Sequence, residues 1–264
     1  MDHANLMVQI MLPLFSVIIV VMIHAAKSRD LYIRRIDGLT NIDEAIGRAT
    51  EMGRPMVAST GLSTPGKDGI EIVGLQALSI VSYLIRNSVR FGTRTIIPVF
   101  EPQMMPVTEM AVQEAYAAEG RPEQYNSDDV RFLTNQQFAY AAAVAGTIWR
   151  EKAAATFYFG YYYAEALILA ETGQQVGAIQ IAGTTSITQI PFFIASCDYV
   201  IIGDEFYAAS AYLSREPTAL GSLVGQDIVK VFMILFLAVG TILVTISPLL
   251  HLTWADKFIS WFAG

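Results

Sequence analysis

Thr156-Phe157-Tyr158-Phe159, Ala178-Ile179-Gln180-Ile181-Ala182 and Tyr199-Val200-Ile201-Ile202 are three short, nearly continuous apolar runs within residues 156–202. Runs of this length without polar alternation mark strands buried on both faces. The segments between them, Tyr162 to Thr172 and Ile187 to Ser196, carry helical spacing. Strand, helix, strand, helix, strand is the pattern of a parallel sheet covered on both sides.

The same alternation continues towards the N-terminus. Met56 to Thr60 and Thr95 to Phe100 read as two further strands. Asn41 followed by Glu44 has the form of a capping box opening a helix, which Gly53 and Pro55 stop. A long helix is expected from Ile70 to Phe91, closed by Gly92. Its uncharged core, Ile72 to Ile85, is shorter than the ~20 residues that a bilayer crossing requires. Pro106 opens a helix running through Glu119, and Arg121 to Asp129 reads as a polar surface loop. Thr134 to Lys152 is expected to be a helix presenting Phe138, Ala141, Ala142, Ala145 and Ile148 on one stripe. The last helical stretch begins near Phe206 and breaks near Pro217. The predicted fold is an α/β, Rossmann-like, doubly wound parallel sheet of about five strands, flanked by N- and C-terminal transmembrane helices.

Those flanking helices follow from charge. Of the 264 residues only 16% are charged, against about 25% in an ordinary soluble domain. No Asp, Glu, Lys or Arg occurs from His3 to Ala26 or from Val231 to Ala255. Each run supplies the ~20 apolar residues of a membrane-crossing helix. The division expected is a first transmembrane helix over 1–27, an α/β domain over 28–227, a second transmembrane helix over 228–250 and an interfacial tail over 251–264. Trp254, Phe258, Trp261 and Phe262 share one helical face of that tail. The first run has Asp2 and no basic residue ahead of it, and no small residue at the −3 position of a cleavage site, so a retained anchor is expected. Lys27, Arg29, Arg34 and Arg35 follow it, which places the domain on the cytoplasmic side of the cell membrane and both termini outside. The run Ile179 to Gly203 also invites reading as a span. Gln180, Thr184, Thr185, Ser186, Thr188, Gln189 and Asp198 make it too polar for lipid.

With 17 Lys+Arg against 24 Asp+Glu, the net charge is −7, which argues against nucleic acid as a partner. A single cysteine, Cys197, excludes an intrachain disulfide and suits a reducing compartment. The three histidines, His3, His24 and His251, all fall outside the α/β domain, so it holds no Ser-His-Asp triad, Cys-His pair or His-ligated metal. Neither a phosphate-binding G-x-x-x-x-G-K-[ST] nor a dinucleotide G-x-G-x-x-G is present. No cofactor is expected.

The remaining candidates lie at the carboxyl ends of strands, where open α/β sheets place ligands. They are Ser59 and Thr60, Glu101, the turn Thr184-Thr185-Ser186, and Asp204 with Glu205. The turn precedes a helix, where backbone N–H groups hold an anion, unless Ser186 serves only as the cap. Glu101, Asp204 and Glu205 suggest a shared hard cation such as Mg²⁺, although acids at a helix start also fit the helix dipole. Lys67 in the Gly-rich loop reaches towards a phosphate or simply faces solvent. Tyr161, Tyr162 and Tyr163 are candidates for a subunit interface or for an internal aromatic cluster.

The stretches Tyr32-Ile33-Arg34-Arg35-Ile36-Asp37-Gly38-Leu39 and Ile42-Asp43-Glu44-Ala45-Ile46-Gly47-Arg48-Ala49-Thr50-Glu51-Met52-Gly53-Arg54-Pro55 resemble a prokaryotic membrane-protein family defined by a domain of unknown function. The likeness extends through Tyr161 to Gly173 and Gly183 to Gly203. The resemblance implies a membrane-tethered α/β domain and brings no catalytic residue. Two functions follow as expectations. One is a non-catalytic, self-associating scaffold at the lipid bilayer that docks a protein partner complex. The other is a membrane-tethered enzyme or sensor for a nucleotide-like or anionic ligand.

Overall fold

A computed structural model describes residues 6–29, 31, 36–64 and 70–250. Arg34, Arg35, Lys67, His3, His251 and the tail with Trp254, Phe258, Trp261 and Phe262 lie outside the described residues. The chain forms two compact units, residues 34–214 and residues 1–33 with 215–264.

The larger unit contains α2 (Asp37–Met52), β1 (Met56–Gly61), α3 (Ile70–Phe91), β2 (Thr95–Val99), α4 (Met105–Ala118), β3 (Val130–Phe132), α5 (Gln137–Glu151), β4 (Ala155–Tyr161), α6 (Glu165–Val176), β5 (Ile179–Thr184), α7 (Ile190–Ser196), β6 (Tyr199–Ile202) and α8 (Asp204–Ser214). Six strands form one sheet in the order β3-β2-β1-β4-β5-β6, and every pair is parallel. This is the doubly wound Rossmann order, with its reversal between β1 and β4.

Side-chain alternation sorts the core into two layers. Phe157 and Phe159 point to the face covered by α2, α3, α4 and α8, with Ile42, Ile80, Leu84, Val112 and Phe206. Tyr158 points to the other face, with Val57 and Ile96, under Tyr140, Val144, Leu169 and Phe193 of α5, α6 and α7. Gln180 is one of the polar residues buried in the inner strands. Its side-chain amide donates to the carbonyls of Ala170 and Ser196, each at 2.8 Å, and its backbone N–H donates to Asp198. One amide therefore ties α6 and the end of α7 to β5.

Three expectations are corrected here. The second helix begins at Asp37, with Ile36 in the N-cap position, so Asn41 lies inside it rather than capping it. The sheet has a sixth strand, Val130–Phe132, where a polar loop gives way to three residues of pairing with β2. The buried stripe of α5 is Tyr140, Ala141, Val144, Thr147 and Ile148, whereas Phe138 is exposed. The helix is rotated so that its tyrosine, not its phenylalanine, enters the core.

The smaller unit holds α1 (Leu6–Ala26) and α9 (Pro217–Leu250), which pack along each other. Both are long and apolar enough to cross a membrane, and α3 also meets that description. The three differ in setting: over half of the α3 window is buried inside the α/β unit, while none of the α1 or α9 window is. The role of α3 is thus that of a core helix.

Candidate functional site

The reversal of strand order between β1 and β4 opens a crevice at the carboxyl ends of these strands, the place where this topology holds ligands. Beneath it, the described side chains of Ser59, Tyr140 and Tyr162 are buried and bonded to one another. β1 and β4 pair Ser59 with Tyr158, then Gly61 with Tyr161, so β4 carries one extra residue. Gly160, at φ +127°, absorbs it, and a side chain there would overlap the carbonyl of Thr60. This bulge re-aims the chain so that Tyr162 turns into the core.

Tyr162 is fully buried, its ring edge-on to those of Tyr158 and Phe193. Its hydroxyl donates to Ser59 Oγ at 3.1 Å and to the Ser59 carbonyl at 3.2 Å. Tyr140 lies 3.0 Å from Ser59 Oγ and donates to the Pro98 carbonyl at 3.1 Å. The proton count gives one direction: Tyr162 donates to Ser59, Ser59 to Tyr140, and Tyr140 to Pro98. The backbone N–H of Gly61 donates to the remaining lone pair of Ser59. Each hydroxyl in this relay is satisfied.

Burial pushes the Tyr140 and Tyr162 phenols well above their ordinary range, and the nearby Glu165 carboxylate adds to the shift. The Tyr158 phenol is raised by the same desolvation. All three remain neutral hydrogen-bonding groups rather than acids near neutral pH. Glu165 itself is fully buried at the start of α6, where it accepts from the Tyr163 N–H at 2.8 Å and from Gln137 Nε2 at 2.5 Å. Sequence reading passed over Glu165 and Tyr140. An acid at a helix start was the available signal for the first; nothing local marked the second.

The other candidates occupy separate places. Thr60 is buried beside Ser59. Glu101 follows β2 and is half-buried. Asp204 and Glu205 are exposed in the first turn of α8, after β6. With β1, β4 and β5 intervening, Glu101 and the two α8 acids are separated by about 19 Å at ~4.8 Å per strand. They cannot share a cation. Among the described residues, no three His, Cys, Asp or Glu side chains converge as a metal site.

The turn after β5 is also already bonded. Ser186 N–H donates to Thr184 Oγ1, and the N–H groups of Gln189 and Ile190 donate to the Ser186 carbonyl. The helix begins at Ile190 with Gln189 in the N-cap position, so Ser186 neither caps it nor leaves those N–H groups for an anion. Thr185 is half-buried and Thr184 fully buried. Gln189, buried beside Thr188, carries a side-chain oxygen without a partner among the described residues. Of the three consecutive tyrosines, Tyr162 presents no surface; Tyr161 and Tyr163 form an edge-on pair, of which Tyr163 is exposed.

No curated protein and no solved structure matches the chain. One family model does, over residues 1–255. With the Rossmann-order sheet and the two apolar terminal helices on the same stretch, the chain belongs to the family described as a domain of unknown function, DUF6754.

Proposed function

We propose that this protein is a membrane-anchored, self-associating scaffold whose α/β domain binds partners rather than transforming a substrate. The observation that carries the reading is that the polar groups described at the strand-order reversal, Ser59, Tyr140 and Tyr162, are buried and satisfy one another. In this reading α1 and α9 cross the cell membrane. The domain faces the cytoplasm on the side of Lys27 and Arg29, and both termini lie outside.

Surface composition supports assembly. No charged residue separates Glu171 from Asp198. That stretch exposes Ile187, Phe192 and Ile194, and the adjoining edge strand β6 exposes Tyr199 and Ile202. Apolar groups beside an open sheet edge are a surface suited to protein contact. Tethering to a membrane concentrates the copies, so modest contacts suffice.

Sedimentation of the full chain in mild detergent tests this reading. A defined multimer is expected, and a dispersed monomer contradicts it. A second reading, ligand binding near Thr184, Thr185, Ser186, Asp204 and Glu205, draws on the unpartnered oxygen of Gln189. It requires that Asp204→Asn or Gln189→Leu abolish binding of a small molecule carried by the purified protein.

A further inference from the structure

The register of the two-helix unit places charge deep alongside α1. A side chain at Gly221 would overlap the backbone of Met22 and Ile23, and a Cβ at Gly225 would meet Ile19 Cα at 3.0 Å. Further along, the rings of Phe15 and Phe232 meet edge-on at 6.1 Å. As α9 advances, its partners on α1 run backwards, so the helices are antiparallel. Asp227 and Lys230, between Gly225 and Phe232, therefore come level with α1 between Phe15 and Ile19. At 1.5 Å per residue that level is more than about 10 Å from either end of α1. The two side chains lie 3.8 Å apart, with Asp227 75% and Lys230 58% exposed. Hydrocarbon is a costly neighbour for exposed charge, and such groups in membrane helices face protein or water.

The position of these charges around α9 is equally informative. At 100° per residue, Asp227, Lys230, Ile234, Ala238, Thr241 and Thr245 fall within about 80° of the circumference. All six are exposed. Gly221, Gly225 and Phe232, which meet α1, lie on the opposite side. Every charged or hydroxyl side chain between Asp227 and Thr245 is on this outward face, with the Thr241 and Thr245 hydroxyls donating to the carbonyls four residues back. Polar and small groups collected on one face are the composition of a helix–helix contact in a membrane. The face is also self-complementary, because opposite charges sit one turn apart on the same helix.

We infer that this face of α9 is where two copies of the chain meet within the bilayer, each Asp227 reaching the other copy's Lys230. The inference rests on the membrane-anchored assembly above and specifies its contact. The test is disulfide cross-linking of the full chain in native membranes, in a Cys197→Ser background. Ala238→Cys and Thr241→Cys are expected to give a linked dimer on oxidation, whereas Leu235→Cys, exposed on a different side of α9, is not. Adding Asp227→Lys to Ala238→Cys should remove the dimer, and adding Lys230→Asp as well should restore it. If Ala238→Cys and Thr241→Cys stay unlinked, or Leu235→Cys links equally, while the chain still sediments as a multimer, this contact is overturned and assembly through the α/β domain stands. A chain that sediments as a monomer overturns the contact and the scaffold together.

Discussion

Ser59 shows how one hydroxyl joins distant parts of the chain. Its place at the carboxyl end of β1 was readable, because a short apolar run before a Gly-rich loop marks the strand end. Its partners were not, since Tyr140 and Tyr162 stand 81 and 103 residues away. Ser59→Ala leaves both phenols their carbonyl acceptors but strips the Gly61 N–H of its partner. A loss of about 1–3 kcal/mol is expected, read as a lower midpoint in thermal unfolding of the detergent-solubilised chain. Alkaline pH provides a second check. Tyr140, Tyr158 and Tyr162 have folded pKa values raised by burial. Their contribution is fully present below the ordinary phenol value near 10 and falls as pH rises above it, because the unfolded chain ionises first. Three such groups give a slope of up to about 4 kcal/mol per pH unit above ~pH 10, visible as a steep alkaline unfolding limb. A flat stability profile from pH 9 to 11 would contradict that burial. The Cys197 thiol, pushed up to about 12 by burial and by Asp198, should label with a maleimide at pH 7.5 much more slowly in the folded protein than after unfolding.

At the scale of elements, the sequence is most legible where apolar runs are short and bounded. Tyr199–Ile202 is observed with the predicted limits, as is the helix Ile70–Phe91. β3 escaped because three residues are too few for a periodicity, and ion pairs made in and beside the strand secure its place. Arg94 binds Asp129 at 2.6 Å, and Arg131 reaches Glu151 at 3.6 Å. The early start of α2 escaped because Asn41 and Glu44 imitate a helix opening inside a helix. Neither charge nor hydropathy revealed the pairing of α1 with α9, which depends on glycines that let backbones approach. Gly221→Leu is expected to force the two helices apart. Its readout is loss of the cross-link that a short bis-maleimide is expected to make between Phe15→Cys and Phe232→Cys, in a Cys197→Ser background, when Gly221 is kept. Persistence of that cross-link would show that the approach does not depend on Gly221.

The whole molecule joins a ligand-binding topology to a strand-order reversal whose described hydroxyls, those of Ser59, Tyr140 and Tyr162, bond to one another. The alternation of strands and helices, the covered parallel sheet and the terminal apolar helices were accessible from pattern because each has a period or a length. The separation of Glu101 from Asp204 and Glu205 was not, since strand order in space is absent from order along the chain. That separation removes the shared cation site, and the buried hydroxyls of Ser59, Tyr140 and Tyr162 at the β1–β4 reversal are engaged with one another, which is the feature the proposed scaffold reading builds on. Native mass spectrometry of the gently solubilised full chain tests this most directly, because one spectrum reports subunit number and retained small molecules together. The account predicts a defined multimer whose mass is an integral multiple of the chain, with no additional nucleotide-sized component. A monomer carrying such a mass would contradict it and return the search to Thr184, Ser186 and Gln189.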